Sequence, residues 1–198
     1  MSQLWNKGGA PLDSRVLQYT AGEDYALDER LVAYDVRASI AHVEMLHAQK
    51  LLTAVDRDAL RTGLTALGAE HAAGAWKIEL SDEDGQTALE RRLTQRIGAA
   101  GGRVHLGRSR NDQVLTAVRL YLRDAIGTLR AGALEVTAAL ARLAQREAST
   151  VLPGYTHMQQ AMPSSVALWA HGFAAEIEDD AQALSAVLRR ARSNQLLA

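Results

Sequence analysis

The chain has 198 residues, with 22 basic and 23 acidic side chains and no cysteine. Charges that nearly cancel leave no global field to favour nucleic acid or an anionic membrane. The absence of cysteine excludes disulfides and thiolate metal sites, and a chain poor in aromatics at 5% but rich in alanine, leucine and arginine favours helices.

The opening stretch MSQLWNKGGAPLDSR has no apolar core behind a basic segment, and no later stretch approaches 18 uninterrupted apolar residues. The expectation is an unexported, cytoplasmic protein with no membrane segment. Three helices are expected over residues 28–49, 56–73 and 82–97, forming a small N-terminal helical domain. The glycine-rich stretch from Gly98 to Gly107 then marks a boundary, giving a division into 1–108 and 109–198. Gly98, Gly101 and Gly102 form neither a dinucleotide fingerprint nor a P-loop, so no nucleotide site is expected.

The strongest periodic signal starts near Asn111. Val114, Val118, Leu122, Ala125, Leu129, Gly132, Val136, Leu140 and Leu143 recur at three and four, which predicts one helix over 111–148, about 57 Å long. A loop bounded by Pro153 and Pro163 follows, in which Pro153-Gly154 suits the centre of a type II turn. After Pro163, Ser164 or Ser165 can cap a second long helix carrying Val166, Trp169, Phe173, Ile177, Ala181, Leu184, Leu188 and Ala191. Glu176, Glu178, Asp179 and Asp180 read as its solvated face, and Arg189, Arg190 and Arg192 complement its negative end. The two helices can pair antiparallel in a bundle. Leu115, Leu120, Ile126 and Leu134 fall outside the main stripe, so further helices are needed to cover them. The fold class expected is therefore all-α: a small helical domain followed by the first long helices of an incomplete central bundle.

Two segments carry more polar chemistry than structure requires. In Gly107-Arg108-Ser109-Arg110-Asn111-Asp112-Gln113, Ser109 with Asp112 three residues on matches a capping box, which accounts for those two side chains alone. Arg108, Arg110 and Asn111 add two guanidinium forks and an amide where a helix N-terminus already favours anions, a setting suited to a carboxylate. Arg103 and His105 either add to this or are solvated loop residues. In Pro153-Gly154-Tyr155-Thr156-His157-Met158-Gln159, His157 sits between hydroxyl and amide neighbours, and histidine titrates nearest neutrality, which suits proton transfer. A lone histidine in a turn is more often a surface or hydrogen-bonded structural residue. His42, His47, His71, His105 and His171 read as structural and match no metal-ligand spacing.

Taken together, G-R-S-R-N-D-Q-V and P-G-Y-T-H-M-Q resemble the first two signature stretches of the argininosuccinate lyase family, within the superfamily of fumarase, aspartase and adenylosuccinate lyase. The opening L-W, the A-L-D-E-R-L stretch and the L-L-T segment extend the resemblance along essentially the whole chain. It implies a β-elimination of argininosuccinate to fumarate and L-arginine, with no metal or organic cofactor. By resemblance, Ser109, Arg110 and Asn111 bind substrate, Thr156 contacts it, and His157 takes part in proton transfer. It also implies a homotetramer with active sites built from several subunits.

Three departures accompany the resemblance. The family's third signature, a glycine- and serine-rich loop bearing a catalytic serine, has no counterpart in these 198 residues, so the chain is expected to supply only part of a site and to belong to a longer protein. Gln86 stands where the family commonly has a histidine, between Asp84 and Glu90. An early substrate-contacting serine has no equivalent near Gly22 to Asp24. Two other functions stay open: a sibling lyase acting on adenylosuccinate, aspartate or malate, and a non-catalytic helical scaffold.

Overall fold

The computed structural model describes residues 13–193. The start of the sequence, with Leu4-Trp5 and Pro11, lies outside them. Two compact units divide in sequence between Tyr121 and Leu122.

The first unit holds α1 (Ser14–Ala21), α2 (Asp24–Leu27), α3 (Val32–Ala48), α4 (Ala54–Ala72), α5 (Gly85–Ile97) and the head of α6 (Arg110–Arg146). Its core is built from residues three and four apart on single faces: Val32, Val36, Val43 and Leu46 of α3, Leu60, Leu64 and Leu67 of α4, and Leu89 and Leu93 of α5. Val32, Val43, Leu60, Leu64 and Leu93 have no exposed surface at all.

The expected helix over 28–49 is broken. Asp28–Arg30 forms one 3-10 turn, and α3 begins at Val32. The side chains of that turn are tied to distant segments: Asp28 Oδ2 accepts the Gly85 N–H at 2.9 Å, and Glu29 Oε1 accepts the Ile78 N–H at 2.6 Å. The expected helix over 82–97 starts late for a backbone reason. Glu83 has φ 69°, a conformation that a helix cannot continue. α5 therefore begins at Gly85, capped by Asp84, whose Oδ1 accepts the Thr87 N–H at 2.7 Å. The glycine-rich boundary is also more ordered than a loop, with Gly98–Arg103 wound as a 3-10 helix against α5. A Cβ at Gly101 would lie 2.5 Å from Thr94 Cα, so only glycine allows this approach.

The second unit contains the rest of α6, β1 (Val151–Thr156), β2 (Gln159–Ser165) and α7 (Val166–Ser193). Ser165 caps α7, accepting the Leu168 N–H at 3.1 Å. Two bonds set the direction of the helices. Val166 N–H donates to Thr150 C=O at 3.1 Å beside the hairpin, and far along both helices Arg130 Nε donates to Ser185 Oγ at 2.6 Å. α6 and α7 therefore run antiparallel, as the sequence led one to expect.

The apolar residues of α6 are only partly covered, both in the main stripe and outside it. Leu115, Leu122, Leu129 and Val136 lie seven residues apart and are 43%, 42%, 62% and 49% exposed, and Leu134 is exposed as well. On α7, Leu168, Trp169, Phe173 and Val187 are also open to solvent.

The segment expected to be a loop between prolines is a β-hairpin. β1 and β2 pair antiparallel from Val151↔Ser165 to Thr156↔Gln159, with an irregularity between Pro153 and Tyr155. Pro153-Gly154 thus lies inside a strand and makes no type II turn. At Gly154 the opposite strand is close enough that a Cβ would meet Met162 O at 3.0 Å. The reversal falls at His157 and Met158, whose φ values of 48° and 61° match a two-residue type I′ turn.

Candidate active site

Ser109, Arg110 and Asn111 stand together at the head of α6, in the first unit. Asp112 Oδ2 accepts both the backbone N–H of Ser109 at 2.9 Å and its hydroxyl at 3.1 Å, so one half of the predicted capping box forms: the Asp112 carboxylate caps Ser109, while the Ser109 hydroxyl donates to that carboxylate. Arg110 reaches sideways to the start of α5, donating through one nitrogen to Asp84 Oδ2 and to Thr87 Oγ1, the latter at 2.9 Å. Since Asp84 also caps α5, this ion pair locks the heads of the two helices to each other and fixes the direction of the guanidinium. Asn111 is exposed, and its amide has no partner among the described residues. It is therefore open to a ligand.

Beside this segment lies a cleft of about 260 Å³ lined by Glu90, His105, Arg108, Arg110 and Gln113. His105 Nδ1 lies 3.0 Å from Glu90 Oε2, although the ring is turned so that Nδ1 makes no aligned hydrogen bond. Arg103 pairs instead with Asp56 at 2.6 Å, away from the cleft, so it is a structural surface residue. His42, His47 and His71 serve the framework. His42 donates to Leu106 C=O at 2.9 Å, His47 Nδ1 contacts Leu52 O at 3.1 Å, and His71 Nε2 lies 2.7 Å from Glu29 Oε2. Burial holds the His42 pKa below its ordinary value.

Sequence reasoning missed Asp35. Its carboxyl is 2% exposed and accepts a hydrogen bond from Gln86 Nε2 at 2.7 Å, while Gln86 Oε1 is buried without a donor. Burial, with Asp28 and Asp84 nearby, raises the Asp35 pKa to about 7 against the weaker pull of the Gln86 bond. The signal was an acidic residue on the apolar face of α3, between Val32 and Val36.

A carboxyl whose folded pKa is raised holds a proton that the unfolded chain releases. Its stabilisation is full below about pH 4 and is lost as pH rises to about 7, by at most about 1.4 kcal/mol per pH unit. Asp35→Asn is expected to remove this slope and to be more stable than the parent at pH 8. Denaturant unfolding at pH 5 and pH 8 checks it, and an unchanged slope would place the proton elsewhere.

Thr156 and His157 belong to the hairpin of the second unit. Both are exposed, and their side chains have no hydrogen-bond partner among the described residues. Met158 at the tip is 94% exposed. A type I′ turn ordinarily uses Asn-Gly, because each central residue has positive φ. Two side-chain-bearing residues there cost on the order of 1 kcal/mol or more each, and such costs concentrate at functional sites.

Comparison with known proteins adds sequence and fold relationships. The family described as lyase matches residues 14–198. The chain is 51% identical over 177 residues to an argininosuccinate lyase of Sorangium cellulosum, covering 89% of this chain and 41% of that one. It is 37% identical to an argininosuccinate lyase of Xanthomonas euvesicatoria, over 98% of this chain and 45% of that one. The chain thus spans less than half the length of these relatives. Among solved structures, a fumarate lyase, delta crystallin, from Brucella melitensis superposes with a TM-score of 0.74 at 19% identity, covering 90% of this chain and 46% of that one. An EDDS lyase in complex with formate superposes with a TM-score of 0.73 at 23% identity, over 92% and 36%. At these identities the structures speak for the fold alone.

Proposed function

We propose that this chain, which belongs to the lyase family, works as part of an argininosuccinate lyase that eliminates L-arginine from argininosuccinate and leaves fumarate. The observation that carries this is the 51% identity over 177 residues to a protein of that name. The polar head of α6 and the exposed His157 turn supply chemistry of the right kind.

In the proposed reaction a proton leaves the carbon beside a carboxylate, the bond from the adjacent carbon to the guanidino nitrogen breaks, and that nitrogen gains a proton. The carbanion places extra charge on the carboxylate, so donors aimed at it lower the barrier. Ser109, Arg110 and Asn111 are assigned to that carboxylate, with the Arg110 fork held in place by Asp84. Thr156 is assigned to a substrate contact and His157 to proton transfer. No metal or organic cofactor enters this scheme.

The functional division runs between residues 108 and 109, where the framework of short helices gives way to the helix that carries the substrate-binding residues. A homotetramer with shared sites is the proposed assembly, supported by the seven-residue repeat of exposed Leu115, Leu122, Leu129 and Val136 along α6. The proposed compartment is the cytoplasm; no described helix is long and apolar enough to cross a membrane.

The test is a side-by-side assay of the full-length protein on argininosuccinate, adenylosuccinate, aspartate and malate, following fumarate by its ultraviolet absorbance. Release from argininosuccinate alone is expected. Release from adenylosuccinate alone would replace the assignment with a sibling lyase, and release from none would favour a scaffold.

A further inference from the structure

Inside the first unit, α3, α5 and the head of α6 meet around a cavity of about 10 Å³. Part of its wall is apolar, from Leu64, Leu89, Leu93 and Val104. The rest is polar, with Ser39 beside Asp35 on α3, Gln86 on α5 and Gln113 on α6.

Three of these polar side chains are incompletely bonded. Gln86, Ser39 and Gln113 are each more than nine-tenths buried. The Gln86 nitrogen donates to Asp35 Oδ2 at 2.7 Å, but its Oε1 is buried with no donor. A hydroxyl inside a helix ordinarily returns to the carbonyl four residues back, as those of Thr65, Thr116 and Thr128 do here. Ser39 makes no such bond, and neither its hydroxyl nor the Gln113 amide has a hydrogen-bond partner among the described residues. Buried polar groups without partners destabilise a fold, and three around one cavity call for a shared partner. We propose that the cavity holds one ordered water molecule, which donates to Gln86 Oε1 and bridges it to Ser39 and Gln113, joining three helices.

Size and chemistry both favour water. The volume is about that of a single water probe, so one molecule fits and two do not. Water donates and accepts, which suits an oxygen that needs a donor beside a hydroxyl and an amide that can act either way. A metal ion would need about six oxygen ligands, and the leucine and valine wall supplies none. The two carboxylates nearby are engaged: Asp35 accepts from Gln86, and Glu90 Oε2 lies 3.0 Å from His105 Nδ1. Neither Ser39, Gln86 nor Gln113 has a role in the lyase assignment, so either reading can fail without the other.

The test begins with a crystal structure of the protein at a resolution that resolves ordered water. A single peak is expected within hydrogen-bond distance of Gln86 Oε1 and of Ser39 Oγ or the Gln113 amide. An empty cavity, a protein side chain moved in to bond Gln86 Oε1, or a peak with the short, numerous oxygen contacts of a cation would overturn the proposal. The second measurement is the thermal melt of Ser39→Ala, whose sign separates a wet cavity from a dry one. With water bound, the variant loses one of the bonds that hold it, and the melting temperature is expected to fall by about 2–4 °C. In a dry cavity the same change removes an unpaired buried hydroxyl and introduces a better helix former, so the melting temperature would rise. A rise, or no change, would overturn the proposal.

Discussion

Replacing His157 by asparagine is expected to lower the rate of fumarate release by roughly 10²–10⁴-fold, the range over which a positioned acid or base contributes. Asparagine is the right replacement because of the backbone. His157 has φ 48°, and asparagine tolerates that region far better than alanine, so the turn survives while the titratable ring is lost. KM is expected to change little, and the limb of the pH–rate profile that reports the imidazole is expected to vanish. The measurement is steady-state kinetics of the full-length protein across pH. A variant with unaltered kcat and an unaltered profile would remove His157 from proton transfer and leave it a turn residue.

The largest expected effect on stability is at Asp82. Asp82→Ala is expected to cost about 3–5 kcal/mol, as removal of one partner from a buried ion pair does. The Asp82 side chain is wholly buried and accepts the Glu79 N–H at 3.0 Å. Arg91 approaches its Oδ1 at 2.6 Å, and Arg92 its Oδ2 at 3.1 Å. Arg92 is itself stacked over Trp76 at 4.4 Å and donates to Lys77 C=O at 2.9 Å, so it cannot swing into solvent without further losses. Asp82→Asn keeps an acceptor for Glu79 and is expected to fall between parent and alanine variant. Urea unfolding with an unchanged slope would measure both. A loss below about 1 kcal/mol for alanine would show that the two arginines repartner, and that this network does not secure the start of α5.

Much of the candidate site was legible because helix initiation is a local code. Ser109 with Asp112, Ser165 and the long stripe of α6 are patterns that involve neighbours within a few turns. The uncovered apolar surface was legible too, since two helices have only two facing stripes, and residues such as Leu115 and Leu134 had to lie elsewhere. The hairpin was not legible. Pro153 and Gly154 weigh against a strand, and a His-Met reversal carries none of the Asn-Gly signal of a type I′ turn.

Sequence by itself determined the helical class, the register and length of α6, and the residue types gathered at its head, because propensity, periodicity and capping act over a few residues. Tertiary structure alone decided which partners those residues have. It tied Arg110 to Asp84, twenty-six positions away, and buried Asp35 against Gln86, fifty-one positions away. Among the described residues it also buried Arg108 Nε without an acceptor. Such pairings depend on which helix faces pack together, and the energy of a buried charge depends on everything packed around it. Neither is written in the spacing of residues along the chain.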